Sequence, residues 1–547
     1  MKNICISLLI SVLLLSWVAL LESEVLTLDI ILTNDMHGGI DKTDATFINP
    51  TFPPRLGGGA SAATYIKDIR SKQSPTRDNL LLDTGDFFQG RPIGTMTEGQ
   101  AIVEYMNMIQ YDLLVLGNHE YDLGEDILRN LLKNVQFPVL GANVFQKGSE
   151  DLVNYVQPYL ILHKMGIKIG IVGITTTDTA QMSFMEHISG VEFRDEKEYL
   201  TYYVNFLRNE EKVDLVIATV HAGIPYDPQQ TYRERYGDLK KNNFTRRWGY
   251  DAQELAHEVP GIDLIFAGHI HVGFAKPWVD PNNHTLVFQN YAYLSNIMHF
   301  MIQIDAETKS IMGYDTPTRD SGLITLFADQ FIPDPEFDHV ITAQQKAAEK
   351  GMDDVIGQAA VFLSRSSIDA QNVMGNFTCE AMKSAVDADF AFINLGGIRA
   401  EIPLGNVTYR HVFNAMPFDN MIVTLLVDGN FLKKIIETRV ADTRAGLILA
   451  GGKVIYSRTR ENFDRVTHLE INGEIWEPDR IYRVATTDFL LSGNAGLTLL
   501  TNLPEEAIIR HEINLRDAMA DYFRKYSPVR VEIDDRWKRD DRSIPKF

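Results

Sequence analysis

At 547 residues the chain is too long for one hydrophobic core, so two domains, or three, are expected. Its composition, 45% hydrophobic and 23% charged, is that of a globular protein. A net charge of −21 excludes general nucleic-acid binding, which depends on basic residues meeting phosphates, yet leaves room for a small phosphate ester where cations reverse the field locally.

The chain opens on Lys2 and an apolar run from Ile4 to Leu21, broken at Glu22, Ser23 and Glu24. This reads as a signal peptide over 1–24 with a secreted or periplasmic destination. An uncleaved anchor is the alternative, since the run is near the lower length limit for a spanning helix. No second span appears. Cys5 lies in this segment and Cys379 is the other cysteine, so no internal disulfide is expected.

Five short apolar runs follow, each ending in residues with metal-binding side chains. LTLDIIL leads to Asp35 and His37, NLLLD to Gly85-Asp86, and YDLLVL to Gly117-Asn118-His119-Glu120. VDLVIAT leads to His221, and IDLIFA to Gly268-His269-Ile270-His271. Such runs read as strands buried on both faces of a parallel sheet. Ligands of these sheets collect beyond the carboxyl ends of the strands. Helical patterns at 60–70, 99–109, 126–134, 199–210 and 250–257 alternate with the runs, implying βαβ units. Residues 159–173 carry a hairpin signal around Lys164-Met165-Gly166, and 286–304 continues with strand-like alternation. A mixed sheet or two packed sheets would accommodate both. Residues 305–335 lose this order, and 335–352 reads as one polar helix bridging two domains. A second α/β domain follows, marked by the strand patterns at 391–394 and 481–487 and the helix at 429–440.

Taken singly, these motifs have bland readings: Asp35-X-His37 as a surface turn, His221 as a satisfied loop histidine, Asp122 as a helix N-cap. Two histidines directly after a buried strand, at 269 and 271, seldom serve packing. Five matches at five strand ends point to a metal site with two ions. Carboxylate, imidazole and amide donors without thiolate suit Zn, Mn or similar divalent ions. Two such ions sharing a carboxylate keep positive charge for a phosphate dianion and clamp an in-line displacement.

Asp35-Met36-His37, Gly85-Asp86, Gly117-Asn118-His119-Glu120-Tyr121-Asp122, His221 and Gly268-His269-Ile270-His271 resemble the calcineurin-like metallophosphoesterases. The wider chain is similar to the secreted 5′-nucleotidase family, which includes UDP-sugar hydrolases and 2′,3′-cyclic-nucleotide phosphodiesterases. The resemblance implies an α/β fold. Residues 25–330 would form a β-sandwich flanked by helices in four layers, 331–353 a linker helix, and 354–547 a smaller α/β substrate-binding domain. It also implies two divalent ions, one held by Asp35, His37, Asp86 and His271, the other by Asp86, Asn118, His221 and His269. The family often has Gln where His271 stands. His119 would touch the phosphoryl group without ligating, oriented by Asp122, while a metal-bound water attacks phosphorus. Asn394-Leu395-Gly396-Gly397-Ile398-Arg399 resembles a family motif that brings Asn394 and Arg399 to the nucleotide. Phe418 and Phe489 are similar to the family's aromatic pair that sandwiches the base; core packing is their bland reading.

Two departures from the family stand out. Ala370-Gln371-Asn372-Val373 precede Met374-Gly375-Asn376 where the family tends to carry an arginine, and Arg365 lies further upstream. The family's Gly-Gly-Asp-Gly, whose Asp grips ribose hydroxyls, reads Gly493-Asn494-Ala495-Gly496. The expectation is an exported two-metal phosphohydrolase that releases phosphate from nucleotides or a related small phosphate ester. Its rivals are a hydrolase of a non-nucleotide ester, including the sulfur-oxidation thiosulfohydrolase type, and a secreted nucleotide-binding protein without turnover. Neither the oligomeric state nor the preferred nucleotide is legible.

Overall fold

The computed structural model of the protein describes residues 24–49, 51–240, 249–366, 371–441 and 447–541. The expected signal segment lies outside them except for Glu24. No helix among the described residues is long and apolar enough to cross a membrane.

The apolar runs of the first half form two sheets packed face to face. In one, Val25–Thr33, Arg77–Asp83, Leu113–Val115 and Val139–Leu140 lie in parallel, with Asn296–Asp305 antiparallel beside the first. In the other, Ile167–Thr175, Leu215–His221, Leu264–Ala267 and Leu286–Gln289 are parallel. The two-residue period of a strand sorts their side chains. Leu28, Leu80, Leu82, Ile169, Ile217 and Phe266 fill the seam between the sheets. Ile31, Leu81 and Leu114 face the helices Gly58–Arg70 and Gln100–Ile109 on one outer side. Val216, Ala218 and Ile265 face Glu196–Asn209 and Ala252–Glu258 on the other. Helix, sheet, sheet and helix make the four layers that the resemblance implied. Burial of both faces is why these strands read as unbroken apolar runs.

Two stretches differ from the sequence expectation. The alternation over 286–304 spans two strands in different sheets, Leu286–Gln289 and Asn296–Asp305. The chain crosses between the sheets at residues 290–295, a turn with no Gly or Pro to mark it. Tyr293 and Leu294 take left-handed φ of 60° and 47° there. Within 305–335 the chain also forms two short strands, Ile311–Asp315 and Leu323–Thr325, added antiparallel to Asn296–Asp305. Partial exposure left them without an apolar pattern to read.

The helix Pro335–Ala348 starts with Pro335 in its first turn and Asp334 accepting hydrogen bonds from the Glu336 and Phe337 amides. It buries Phe337 and Ile341 against the first core. Beyond its end, Arg410 of the second unit reaches Glu349 at 2.6 Å and Asp353 at 2.7 Å. The second unit centres on a five-stranded mixed sheet that includes Phe390–Ile393, Met421–Asp428 and Ile481–Thr487. Ala391 and Ile393 face one apolar cluster, and Phe390 and Phe392 face another on the opposite side.

Candidate metal centre and substrate pocket

All five motif loops leave the carboxyl ends of parallel strands, three from one sheet and two from the other. Packing the sheets face to face brings the two sets of loops together. Asp35, His37, Asp86 and His271 form one group of donor atoms lying within 4.8 Å of one another, and Asp86, His221 and His269 form a second. Asp86 belongs to both. Asn118 joins the second group: its Oδ1 lies 3.2 Å from His221 Nε2 and 3.0 Å from His269 Nδ1.

The loops pay for this convergence in backbone strain. Asp35, His37, Asp86, His269 and His271 all take positive φ, between 46° and 82°. Such backbone is uncommon outside glycine and clusters at functional sites. Close approach requires glycine at two further positions. A Cβ on Gly117 would lie 2.2 Å from Asp86 Oδ1, and one on Gly85 would lie 2.4 Å from the Gly117 amide. Glu120, fully buried, accepts hydrogen bonds from the amides of Asp86 and Phe87 at 2.9 Å and of Gly117 at 2.6 Å. It ties two motif loops together.

The donor set fits divalent cations. His37 Nδ1 lies 2.7 Å from the Gln89 carbonyl, and His221 Nδ1 lies 2.7 Å from the Thr84 carbonyl. A carbonyl accepts only, so each Nδ1 carries the proton and each Nε2 is turned into the cluster. His37 Nε2 then faces His271 Nε2 at 3.0 Å. Two imidazole nitrogens so close suit neighbouring ligands of one ion with roughly 2.0–2.1 Å metal–nitrogen bonds. Burial keeps the imidazole of His37 well below its ordinary pKa and lowers those of His269 and His271 to about 3, so all three are neutral donors. Burial pushes Asp35 up to about 6. Burial would also raise Asp86, but the neighbouring His221 and His119 outweigh it and hold that carboxyl well below its usual range; His221 is in turn raised to about 10 by Asp86 against its burial, so a cation on its Nε2 would have to displace a proton there.

His119 stands outside both donor groups. Its Nδ1 lies 2.7 Å from Asp122 Oδ2, and its amide donates to Asp86 Oδ1 at 2.9 Å. Burial opposes its protonation, but Asp122 and Asp86 prevail and raise it to about 9. From Asn118 and His119 a cavity of about 470 Å³ opens between the two units. Asp122, Asn394, Arg399, Phe418 and Phe489, each singled out in the sequence, line it. Phe418 stacks on the His119 ring, with centroids 5.7 Å apart and planes 20° from parallel. The Arg399 guanidinium lies 5.8 Å from the Phe418 centroid.

Some lining residues had no signal in the sequence. Phe184, from the segment after Ile167–Thr175, lies edge-on to Phe489 at 6.0 Å. Gln89 lines the cavity while its carbonyl accepts from His37. The structure also locates both departures. Arg365 donates to the Arg399 carbonyl at 3.0 Å, so the chain brings it to Arg399 despite its distance in sequence. Ala495 does not line the cavity; its carbonyl accepts from Arg439.

Comparison with known proteins gives two family matches. Residues 28–273 match calcineurin-like phosphoesterase, and residues 355–502 match the 5′-nucleotidase C-terminal domain. The chain is 27% identical to a 5′-nucleotidase of Rattus norvegicus, covering 93% of this chain and 90% of that relative. It is 25% identical to the protein UshA of Yersinia enterocolitica, covering 91% and 90%. The fold is similar to the crystal structure of a 5′-nucleotidase precursor from Thermus thermophilus, with a TM-score of 0.78 at 23% identity, covering 94% of this chain and 99% of that one.

Proposed function

The chain belongs to the calcineurin-like phosphoesterases that carry a 5′-nucleotidase C-terminal domain and is a metal-dependent hydrolase of phosphoric esters; from that premise we propose that it is a two-metal nucleotide phosphohydrolase. The observation that carries this reading is the sharing of Asp86 between two donor groups beside a cavity built from both units. In the proposal Asp35, His37, Asp86 and His271 hold one divalent cation, and Asp86, Asn118, His221 and His269 the other. When bound, the two cations supply Lewis acidity and an activated water nucleophile.

The remaining work falls to the chain's own groups. His119 meets the phosphoryl oxygens through Nε2, and Asp122 fixes its ring and stabilises its positive form. Arg399 offers a forked donor to the same phosphate. Asn394 orients the nucleoside, and Phe418 and Phe489 hold the base between their rings. Part of the binding energy therefore comes from groups remote from the reacting phosphorus. Export through the apolar segment after Lys2 completes the proposal; N-terminal sequencing of the mature protein from its native host would find a start near residues 19–24 if it is right.

The test is phosphate release by purified mature protein from 5′-, 3′- and cyclic nucleotides, nucleoside diphosphates and UDP-sugars, with Mn, Zn and Co supplied singly. Asp86→Ala is the control. Equal release by the wild type and this variant would overturn the mechanism. Release from base-free phosphate esters alone would favour the rival in which the substrate is not a nucleotide, which the Ala495 departure keeps open.

A further inference from the structure

A second cavity, of about 220 Å³, lies next to the base pocket. The larger cavity meets the centre at Asn118 and His119, and this one meets it at His37. Gln89, Arg399 and Phe418 face both and form the wall between them. Arg91, Tyr293 and Asn414 contribute to the remaining wall.

The charge of this cavity is unusual for the chain. The base pocket has Asp122, Glu186, Asp419 and Asp488 around it, whereas no carboxylate lines the smaller cavity. Two guanidiniums do. Arg399 has no carboxylate within ion-pair distance among the described residues, and Arg91 has a single 3.4 Å contact to Asp41 Oδ2. Arg365, bonded to the Arg399 carbonyl, adds a third guanidinium nearby. In a protein of net charge −21, a carboxylate-free cavity in which Arg91 adds a guanidinium to the Arg399 that serves the reacting phosphate reverses the local field and leaves Arg91 to meet a further anion. Its wall is also held firmly. The Arg91 guanidinium lies 5.7 Å from the Tyr293 ring centroid. Tyr293 takes a φ of 60°, and its amide donates at 2.8 Å to the carbonyl of Asp35.

We propose that this cavity is a second anion subsite that takes a dianionic phosphoryl group, with Arg91 as its specific cation and the Tyr293 hydroxyl as its neutral donor. The group is either the outer phosphate of a nucleoside diphosphate whose base fills the larger pocket, or the free phosphate that hydrolysis releases. The inference rests on the nucleotide reading above.

Two variants, Arg91→Gln and Tyr293→Phe, test it on the metal-loaded enzyme. Calorimetric titration with inorganic phosphate reads the number of sites: two in the wild type, one in Arg91→Gln. In a second arm, the affinity for an α,β-methylene nucleoside diphosphate is compared with that for the monophosphate. Arg91→Gln weakens the diphosphate about tenfold and leaves KM for the monophosphate within twofold; Tyr293→Phe moves it less in the same direction. A shift in the second arm identifies the outer phosphate as the occupant, and a shift in the first alone identifies the free product. One phosphate site in the wild type together with an unchanged affinity ratio in both variants would overturn the subsite. If the wild type turns over no nucleotide, the functional reading fails separately, and the phosphate stoichiometry still decides the subsite.

Discussion

The imidazole of His119 and the phenyl ring of Phe418 lie face to face, 5.7 Å apart at their centroids, although they belong to different units of the chain. The residue proposed to act on phosphorus is thus supported by one proposed to hold the base. Removing the ring leaves the base one stacking partner and His119 an open side. Phe418→Ala should raise KM for nucleotides about 5- to 150-fold, the equivalent of roughly 1–3 kcal/mol of stacking. p-Nitrophenyl phosphate, which has no nucleobase, should be affected far less. Equal losses on both substrates would mean that Phe418 serves packing alone.

Asp122 and His119 lie outside both donor groups, so their loss should spare the metals. Asp122→Ala is expected to lower kcat about 10- to 100-fold, as loss of an orienting carboxylate does. His119→Ala should cost roughly 10²- to 10⁴-fold. Elemental analysis after dialysis should find unchanged metal content in both variants. Depleted metal would place His119 among the ligands instead.

Glu120 gives the opposite expectation. Its carboxylate accepts from three amides in two motif loops. Glu120→Gln turns one acceptor into a donor facing another donor, in a fully buried position. Metal affinity should fall about 10- to 100-fold in competition with a chelator, while the fold, followed by circular dichroism, persists. Affinity equal to that of the wild type would show that the loops hold their shape without it.

Away from the site, Asp29 offers a test of acid stability. It is buried, with Arg77 bonded to both its oxygens at 2.7 and 2.8 Å and His299 at 2.9 Å. Burial pushes its carboxyl up, but the hydrogen bonds from His299 and Arg77 prevail and hold it below the ordinary 3.8. Such a carboxyl binds fewer protons folded than unfolded. Its contribution is complete above about pH 4 and disappears as pH falls through the depressed value. Asp29→Asn should destabilise by roughly 2–3 kcal/mol at pH 7, less than a fully buried pair because Arg77 is about one third exposed. Urea denaturation across pH should show the gap between wild type and variant closing below pH 4. A gap independent of pH would place the cost in packing.

What could be read from the sequence was local. Asp35, Asp86 and His269 each follow a strand buried on both faces, so the apolar run and its terminal donor announce each other within a few residues. Which donors meet across the seam depends on two sheets packing, and residues alone carried that only through resemblance. Phe184 was invisible because it sits in a segment whose hydrophobic residues follow no period. The crossing between sheets at 290–295 leaves no mark in the sequence, because both flanking strands alternate alike and the turn uses Tyr293 and Leu294 in place of glycine. Arg365 lies too far upstream to match the family's arginine by spacing, yet it reaches Arg399 through a backbone carbonyl, a contact that no side-chain pattern encodes.

The left-handed backbone at Asp35, His37, Asp86, His269 and His271 restricts which residues these loops accept. Apart from glycine, Asp, Asn and His tolerate that conformation best, and the same three offer oxygen and nitrogen donors to a cation. Backbone and coordination chemistry therefore draw on one small alphabet. Exchanging one donor for another at a fixed loop is an easy step for such a centre, whereas changing a loop's length is not. Drift in metal preference among proteins built this way should follow letter changes at these five positions, with the spacing between them left alone.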